Sequence, residues 1–502
     1  MFNFSCRKPF KHISVKPAVF KLKPLLLATA VTTLLASPFT GAVQTNKNKL
    51  PEIGAAGFSS LSIDKERIIG QAMMRQLRAS QPIINDPVLI EYINDLGNQL
   101  VKNAHDVNYS FEFFLIRNQE LNAFAFFGGH VGIHSGLVTM AETESELASV
   151  IAHEISHVTQ RHLARRLESQ SQSQALSMAG MISGVLLALV NPTVGMAALS
   201  ATMAATKQAG INYTRGNEKE ADRVGITLLS NSNFDPQGAP DFFSKMAAKY
   251  RYKSMPPAML LTHPIPEARI TDARQRAHSL PRRILPAKLS FELAKTRIKA
   301  RYEGRPKENI LYFKKLLAKK KYVLKPAAQY GLAISYFENK QYIEAQNLLE
   351  KLLAQDKNNL FYADVLSDVY IQRKQYDRGI KMLSDLNLFM PYNQVVTLNY
   401  ASVLLSSKKY QQAEELLQDF LLVTPDNFIA YDILNQLYKE QDKKALMHST
   451  KAEIFALLGG YSRAVDELQT AYTFADEKPL LQKRIKAKIL QFQAQEDKLK
   501  RL

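Results

Sequence analysis

Two hydrophobic periods alternate along the first half of the chain. In SIDKERIIGQAMMRQLRAS (62–80) and DPVLIEYINDLGNQLVKNA (86–104) apolar residues recur every three or four positions, which predicts amphipathic helices capped by Ser62 and Asp86. YSFEFFLIRN (109–118) alternates like a half-buried strand, and NAFAFFGGHVGIHSGLV (122–138) reads as two short strands around Gly128 and Gly129. The helical period returns in TESELASVIAHEISHVTQRHLARRLE (143–168), where Thr143 and Glu146 have capping-box spacing. From Ser169 to Thr206 no residue is charged, yet Asn191 and Pro192 split the run into pieces of about 15 residues, short of the roughly 20 that cross a bilayer. A helical hairpin folded over a neighbouring site, with soft points at Gly180, Gly184 and Gly195, or a segment touching a membrane surface, fits that pattern.

From about 305 onward the pattern repeats. Tyr342, Tyr376 and Tyr410 lie 34 residues apart, Ala345, Gly379 and Ala413 follow each by three, and Pro391 and Pro425 keep the same interval. A helix, a short turn and a second helix closed by a small residue is the tetratricopeptide unit. A fourth unit is degenerate, its phase slipping at GGYSRAVDELQTAY (459–472), and a capping helix and charged tail follow. The expected organisation is a mixed helical and β domain over 43–285, a linker over 286–304, an all-α tetratricopeptide solenoid over 305–490 and a tail over 491–502. Such a stack offers a concave face to a segment of another protein.

Charge changes the picture at the N-terminus. The formal charge is +19, but six of the positives precede residue 25 with no acid among them. They lead into PLLLATAVTTLLASPFTGA (24–42), whose short apolar core and small-residue exit describe a secretory signal peptide over 1–42, or, if retained, a membrane anchor. The single cysteine, Cys6, falls inside that segment, so the chain beyond it can form no internal disulfide. Export argues against nucleic acid as a natural partner. The remaining +13 suits an anionic membrane surface, acidic stretches of a client protein, or solubility alone.

HEISH (153–157) carries the chemistry. Imidazoles four residues apart share a helix face, so His153 and His157 can converge on one ion, while Glu154 reaches a water on that ion without ligating it. In GNEKEADRVGITLL (216–229) a helix would align Glu218, Ala221, Asp222, Gly225 and Leu229 in one stripe and turn Glu220 and Arg223 elsewhere. Carboxylates on a face of small residues are costly to bury without a cation or metal. Glu218 is therefore the expected third ligand, with Asp222 orienting a ligand histidine. His162 falls off the ligand face of a continuous helix and reads as surface, and His130 and His134 read as one solvated strand face.

HEISH, then YTRGNEKEADRVG (213–225), then THPIPEARI (262–270), with NAFAFFGGHVGIHSGL upstream, resembles the HExxH–ExxxD gluzincin metallopeptidases that include the CAAX prenyl proteases and HtpX-type membrane proteases. Joined to tetratricopeptide repeats, it is similar to the periplasmic members that act in β-barrel assembly. The resemblance implies an α+β gluzincin domain, mostly helical, with a small sheet whose edge strand near Asn122, Ala123 and Phe124 takes up extended substrate. It implies one Zn2+ held by His153, His157 and Glu218, with Glu154 as general base and Asp222 supporting the ligands. His263 and Arg269 fall near that site: the histidine is a fourth ligand that keeps the enzyme latent, a donor to the oxyanion, or a packing residue before Pro264. The implied activity is zinc-dependent endoproteolysis in the cell envelope. It would act on misfolded or stalled outer-membrane β-barrel proteins, with the repeats assisting their assembly beside the β-barrel assembly machinery. The alternative is a tetratricopeptide chaperone or scaffold with a latent zinc site.

Overall fold

The fold is taken from a computed structural model that describes residues 61–171, 207–251, 258–476 and 478–500. The expected signal peptide and nearly all of the uncharged run lie outside the described residues. Helices α1 (Ile63–Ser80) and α2 (Pro87–Val101) begin where their caps predict: Ser62 accepts from the Lys65 N–H and Asp86 from that of Leu89.

Strands β1 (Glu112–Ile116), β2 (Ala123–Phe126) and β3 (His130–His134) form one sheet in the order β1-β3-β2. β1 runs parallel to β3, while β2 returns antiparallel to it with Ala123 opposite Ile133. The hairpin turns on Gly128 and Gly129, both at positive φ, and a side chain on Gly129 would strike the Ser110 carbonyl at 2.8 Å. β2 is thus an edge strand, and Asn122, Ala123 and Phe124 are buried along it. The solvated face expected for His130 and His134 is wrong. β3 is the central strand, both imidazoles are buried, and burial pushes His134 down to about 4.

After α3 (Ser135–Met140), helix α4 (Glu144–Thr159) starts at Thr143, whose hydroxyl accepts from the Glu146 N–H. The Glu146 carboxylate reaches the Glu142 N–H and Lys245, so the capping box is displaced by one residue and tied to a later helix. α5 (His162–Ser171) follows a break at Arg161, which sits at φ 52. The domain continues with α6 (Lys207–Asn231), α7 (Gly238–Tyr250), α8 (Ala258–Thr262) and α9 (Glu267–His278). α6 crosses directly over α4 because Gly225 has no side chain: a Cβ there would lie 3.1 Å from the backbone nitrogen of His153.

The stretch read as a linker is a buried helix, α10 (Leu289–Arg297), continued by a π turn over Ile298–Tyr302. α11 (Pro306–Ala318) caps the repeats, which follow as helix pairs: α12 (Lys325–Glu338) with α13 (Tyr342–Gln355), and α14 (Leu360–Gln372) with α15 (Tyr376–Phe389). α16 (Gln394–Ser406) pairs with α17 (Tyr410–Val423), and α18 (Phe428–Glu440) with α19 (Lys444–Leu457). The turn inside each pair uses a left-handed residue at Lys340, Lys374, Lys408 and Asp442, so the fourth unit keeps the 34-residue phase that its side chains obscure. The slip comes later, at Gly459 before α20 (Tyr461–Thr473). α21 (Pro479–Lys500) runs unbroken through the expected tail and buries Phe492.

Peptidase and repeat helices meet through polar contacts rather than a covalent staple. Arg297, 0% exposed, donates to Asp86 at 2.7 Å, to the Tyr330 hydroxyl at 2.8 Å and to Asp364 at 2.6 Å. Asp86 therefore caps α2 and also anchors the first two repeats. Asn393 donates to Glu91 at 2.9 Å, extending the contact of α2 to the third repeat. Part of the repeat surface that the sequence leaves for a client is occupied by the peptidase domain itself.

Candidate active site

α4 and α6 cross at Gly225, and that crossing assembles the site. His153 Nε2 lies 3.0 Å from His157 Nε2 and 3.3 Å from Glu218, and His157 Nε2 lies 3.4 Å from the other Glu218 oxygen. Atoms bound tetrahedrally at about 2.0–2.1 Å from one ion sit roughly 3.3 Å apart, so these three donors fit a zinc-sized cation. His263 Nδ1 joins them, 3.0 Å from Glu218 and 3.4 Å from His153 Nε2, and the four donor atoms lie within 4.8 Å of one another.

Glu154 follows His153 on α4 and points at the same space. It is 1% exposed, and its Oε1 has no hydrogen-bond partner among the described residues, with His263 Nε2 standing 3.6 Å away. A bare carboxylate oxygen in a buried, polar position is the arrangement a proton acceptor requires.

Asp222 sits one turn beyond Glu218 on α6. Its Oδ1 lies 3.1 Å from His153 Nδ1, and Arg269 clamps both its oxygens at 2.7 Å. The same guanidinium reaches Glu218 at 2.9 Å and donates to the Pro264 carbonyl at 2.7 Å, fixing the segment that carries His263. Burial disfavours charge on His153, but Asp222 and Glu218 outweigh it and lift the imidazole to about 10. Burial would raise the Glu218 carboxyl, yet the neighbouring His263 above all holds it well below the usual range. Burial dominates at His157 and brings it to about 4, so this imidazole is neutral and its lone pair is available to a cation.

One residue of the constellation escaped sequence reasoning. His162, expected at the surface, is 3% exposed, with Nδ1 2.8 Å from His157 Nδ1 and Nε2 3.1 Å from Glu220. In an unbroken helix a residue five beyond His157 would point away. The break at Arg161 turns it back, and nothing in the apolar periodicity announces that break.

A HExxH helix crossed by a helix bearing a carboxylate as third donor, followed by helix pairs of 34-residue period, defines a metallopeptidase with a tetratricopeptide domain. Residues 89–277 match Peptidase family M48, and residues 399–423 match a tetratricopeptide repeat. The chain is 43% identical to the putative beta-barrel assembly-enhancing protease of Vibrio cholerae, over 94% of this chain and 98% of that one. It is 38% identical to the beta-barrel assembly-enhancing protease of Escherichia coli K12, over 96% and 98% of the two chains. The chain belongs to this family of M48 metallopeptidases.

Proposed function

We propose that this protein is a zinc endopeptidase of the cell envelope that degrades misfolded or stalled outer-membrane β-barrel proteins and, through its repeats, assists their assembly. The observation that carries the reading is the convergence of His153, His157 and Glu218 beside Glu154, whose buried Oε1 accepts no hydrogen bond among the described residues. Two imidazoles and one carboxylate suit Zn2+, leaving a position for water. A zinc ion there supplies the Lewis acidity that activates water and polarises a carbonyl. Glu154 takes the proton of the attacking water and returns it to the leaving amine. Asp222 and Arg269 hold His153 and Glu218 in register, and the outer edge of β2 lends backbone groups to an extended client. The working boundaries are a peptidase domain over 43–285 and repeats over 305–490.

His263 favours a latent resting state. Its Nδ1 stands beside the donor set, 3.0 Å from Glu218 and 3.4 Å from His153 Nε2, where it would compete with water for the metal, and the hold of Arg269 on Pro264 keeps it there. A scaffold with a silent zinc site is the second reading, supported by the same atom. Degradation of an unfolded β-barrel protein separates them: His263→Ala should cut about tenfold faster or more than wild type, as expected when the competent form is a minor one. A slower variant would assign His263 to the transition state, and zinc-loaded protein that cuts in neither form would favour the scaffold.

The repeats also support contact with an anionic membrane surface. Six lysines between 307 and 321 surround Leu311 (68% exposed) and Tyr312 (48% exposed) on the outward face of α11 and its following turn. Lysines with exposed apolar residues suit acidic headgroups and the acyl boundary. Flotation with anionic vesicles at low salt should carry wild type but not Lys314→Glu/Lys315→Glu. Equal flotation with zwitterionic vesicles would remove the electrostatic account.

A further inference from the structure

We infer that Glu220, acting through His162, sets the tautomer of His157 that presents a lone pair to the metal. This rests on the reading of His157 as a ligand. A ligating imidazole nitrogen must carry no proton, so with Nε2 facing Glu218 and His153 the single proton of neutral His157 belongs on Nδ1. Among the described residues the atom offered to that N–H is His162 Nδ1, at 2.8 Å, which must then accept. His162 therefore carries its own proton on Nε2, where it donates to Glu220 at 3.1 Å.

The opposite arrangement fails at the far end. If His162 donated from Nδ1, its bare Nε2 would face the Glu220 carboxylate, lone pair against negative charge. His157 would then be bare at Nδ1 and protonated on Nε2, the nitrogen the metal needs. Arg165 holds Glu220 at 3.0 Å and keeps it in place as an acceptor. Buried His162 passes this preference across the α4–α5 break to a ligand that Glu220 never touches. Glu220 and His162 are positioning residues, complementing on His157 what Asp222 does for His153.

The test uses the full chain, zinc affinity by chelator competition, and 15N-histidine NMR of the metal-free protein. His162→Phe should weaken zinc binding about 10–100-fold and Glu220→Leu about tenfold, as losses of outer hydrogen bonds to a ligand do. The double variant should be no weaker than His162→Phe, since Glu220 acts only through His162. His162→Gln, whose amide both accepts and donates, should recover most of the affinity. The His157 ring should be protonated on Nδ1 in wild type and shift toward Nε2 in Glu220→Leu. An unchanged tautomer and affinity in Glu220→Leu, or additive losses in the double variant, would overturn the inference alone. Wild type that binds no zinc would overturn the ligand reading beneath it.

Discussion

Glu154→Gln will bind metal and fail to cut. The amide has the size of the carboxylate and fills the same buried place, so packing around α4 is retained, yet it cannot accept a proton. Loss of a general base costs about 10²–10⁴ in turnover. The starting geometry makes the effect specific: Glu154 Oε1 is buried without a hydrogen-bond partner among the described residues, an arrangement that a purely structural glutamate would relieve. Single-turnover cleavage of an unfolded β-barrel protein, run beside a measurement of bound zinc, checks it. Glu154→Asp provides a graded control, because withdrawing the carboxylate by about 1 Å costs on the order of 10²-fold even though the chemistry is retained. Wild-type turnover in a zinc-loaded Glu154→Gln protein would remove this residue from the mechanism.

Arg297→Met should loosen the peptidase domain from the repeats. Asp86 and Asp364 both lie within 2.7 Å of the guanidinium and are themselves buried. Removing one partner of a buried ionic cluster leaves uncompensated charge and costs about 3–5 kcal/mol, which for domains of this size is a fall in Tm on the order of 10 °C. Arg301, 3.8 Å from Asp86 and 4.0 Å from Asp364, softens the loss without replacing the hydrogen bonds. Calorimetry together with limited proteolysis in the stretch 286–304 reads the change. Adding Asp86→Asn and Asp364→Asn to Arg297→Met should recover part of the loss, because the stranded charges are gone. A Tm within a degree of wild type would show that the cluster contributes no docking energy. The same geometry makes deletion of the repeats a poor test of the peptidase, since it strips Asp364 and Tyr330 from Arg297.

The local pattern carried the elements and the candidate donors that the structure brings together. Period and capping located α1, α2 and α4, Gly128 and Gly129 marked the hairpin, and the 34-residue interval defined the repeats. His153, His157 and Glu218 were legible because helical geometry is itself local: residues four apart share a face whatever lies beyond, and buried carboxylates on a small-residue stripe demand a partner. Asp222 was legible for the same reason.

Contacts that depend on where one helix stops and another crosses were decided only in three dimensions. His162 returns to the site through one left-handed residue, and His130 and His134 are buried because β3 lies between two strands. Arg297 looked like part of a linker, since an arginine reads as exposed until the carboxylates that pay for its burial arrive from positions 211 residues before and 67 after it. Sequence determines what each segment can do with its own neighbours. Desolvation and the pairing of charges between distant segments depend on the packed chain, and there the tertiary structure alone decides.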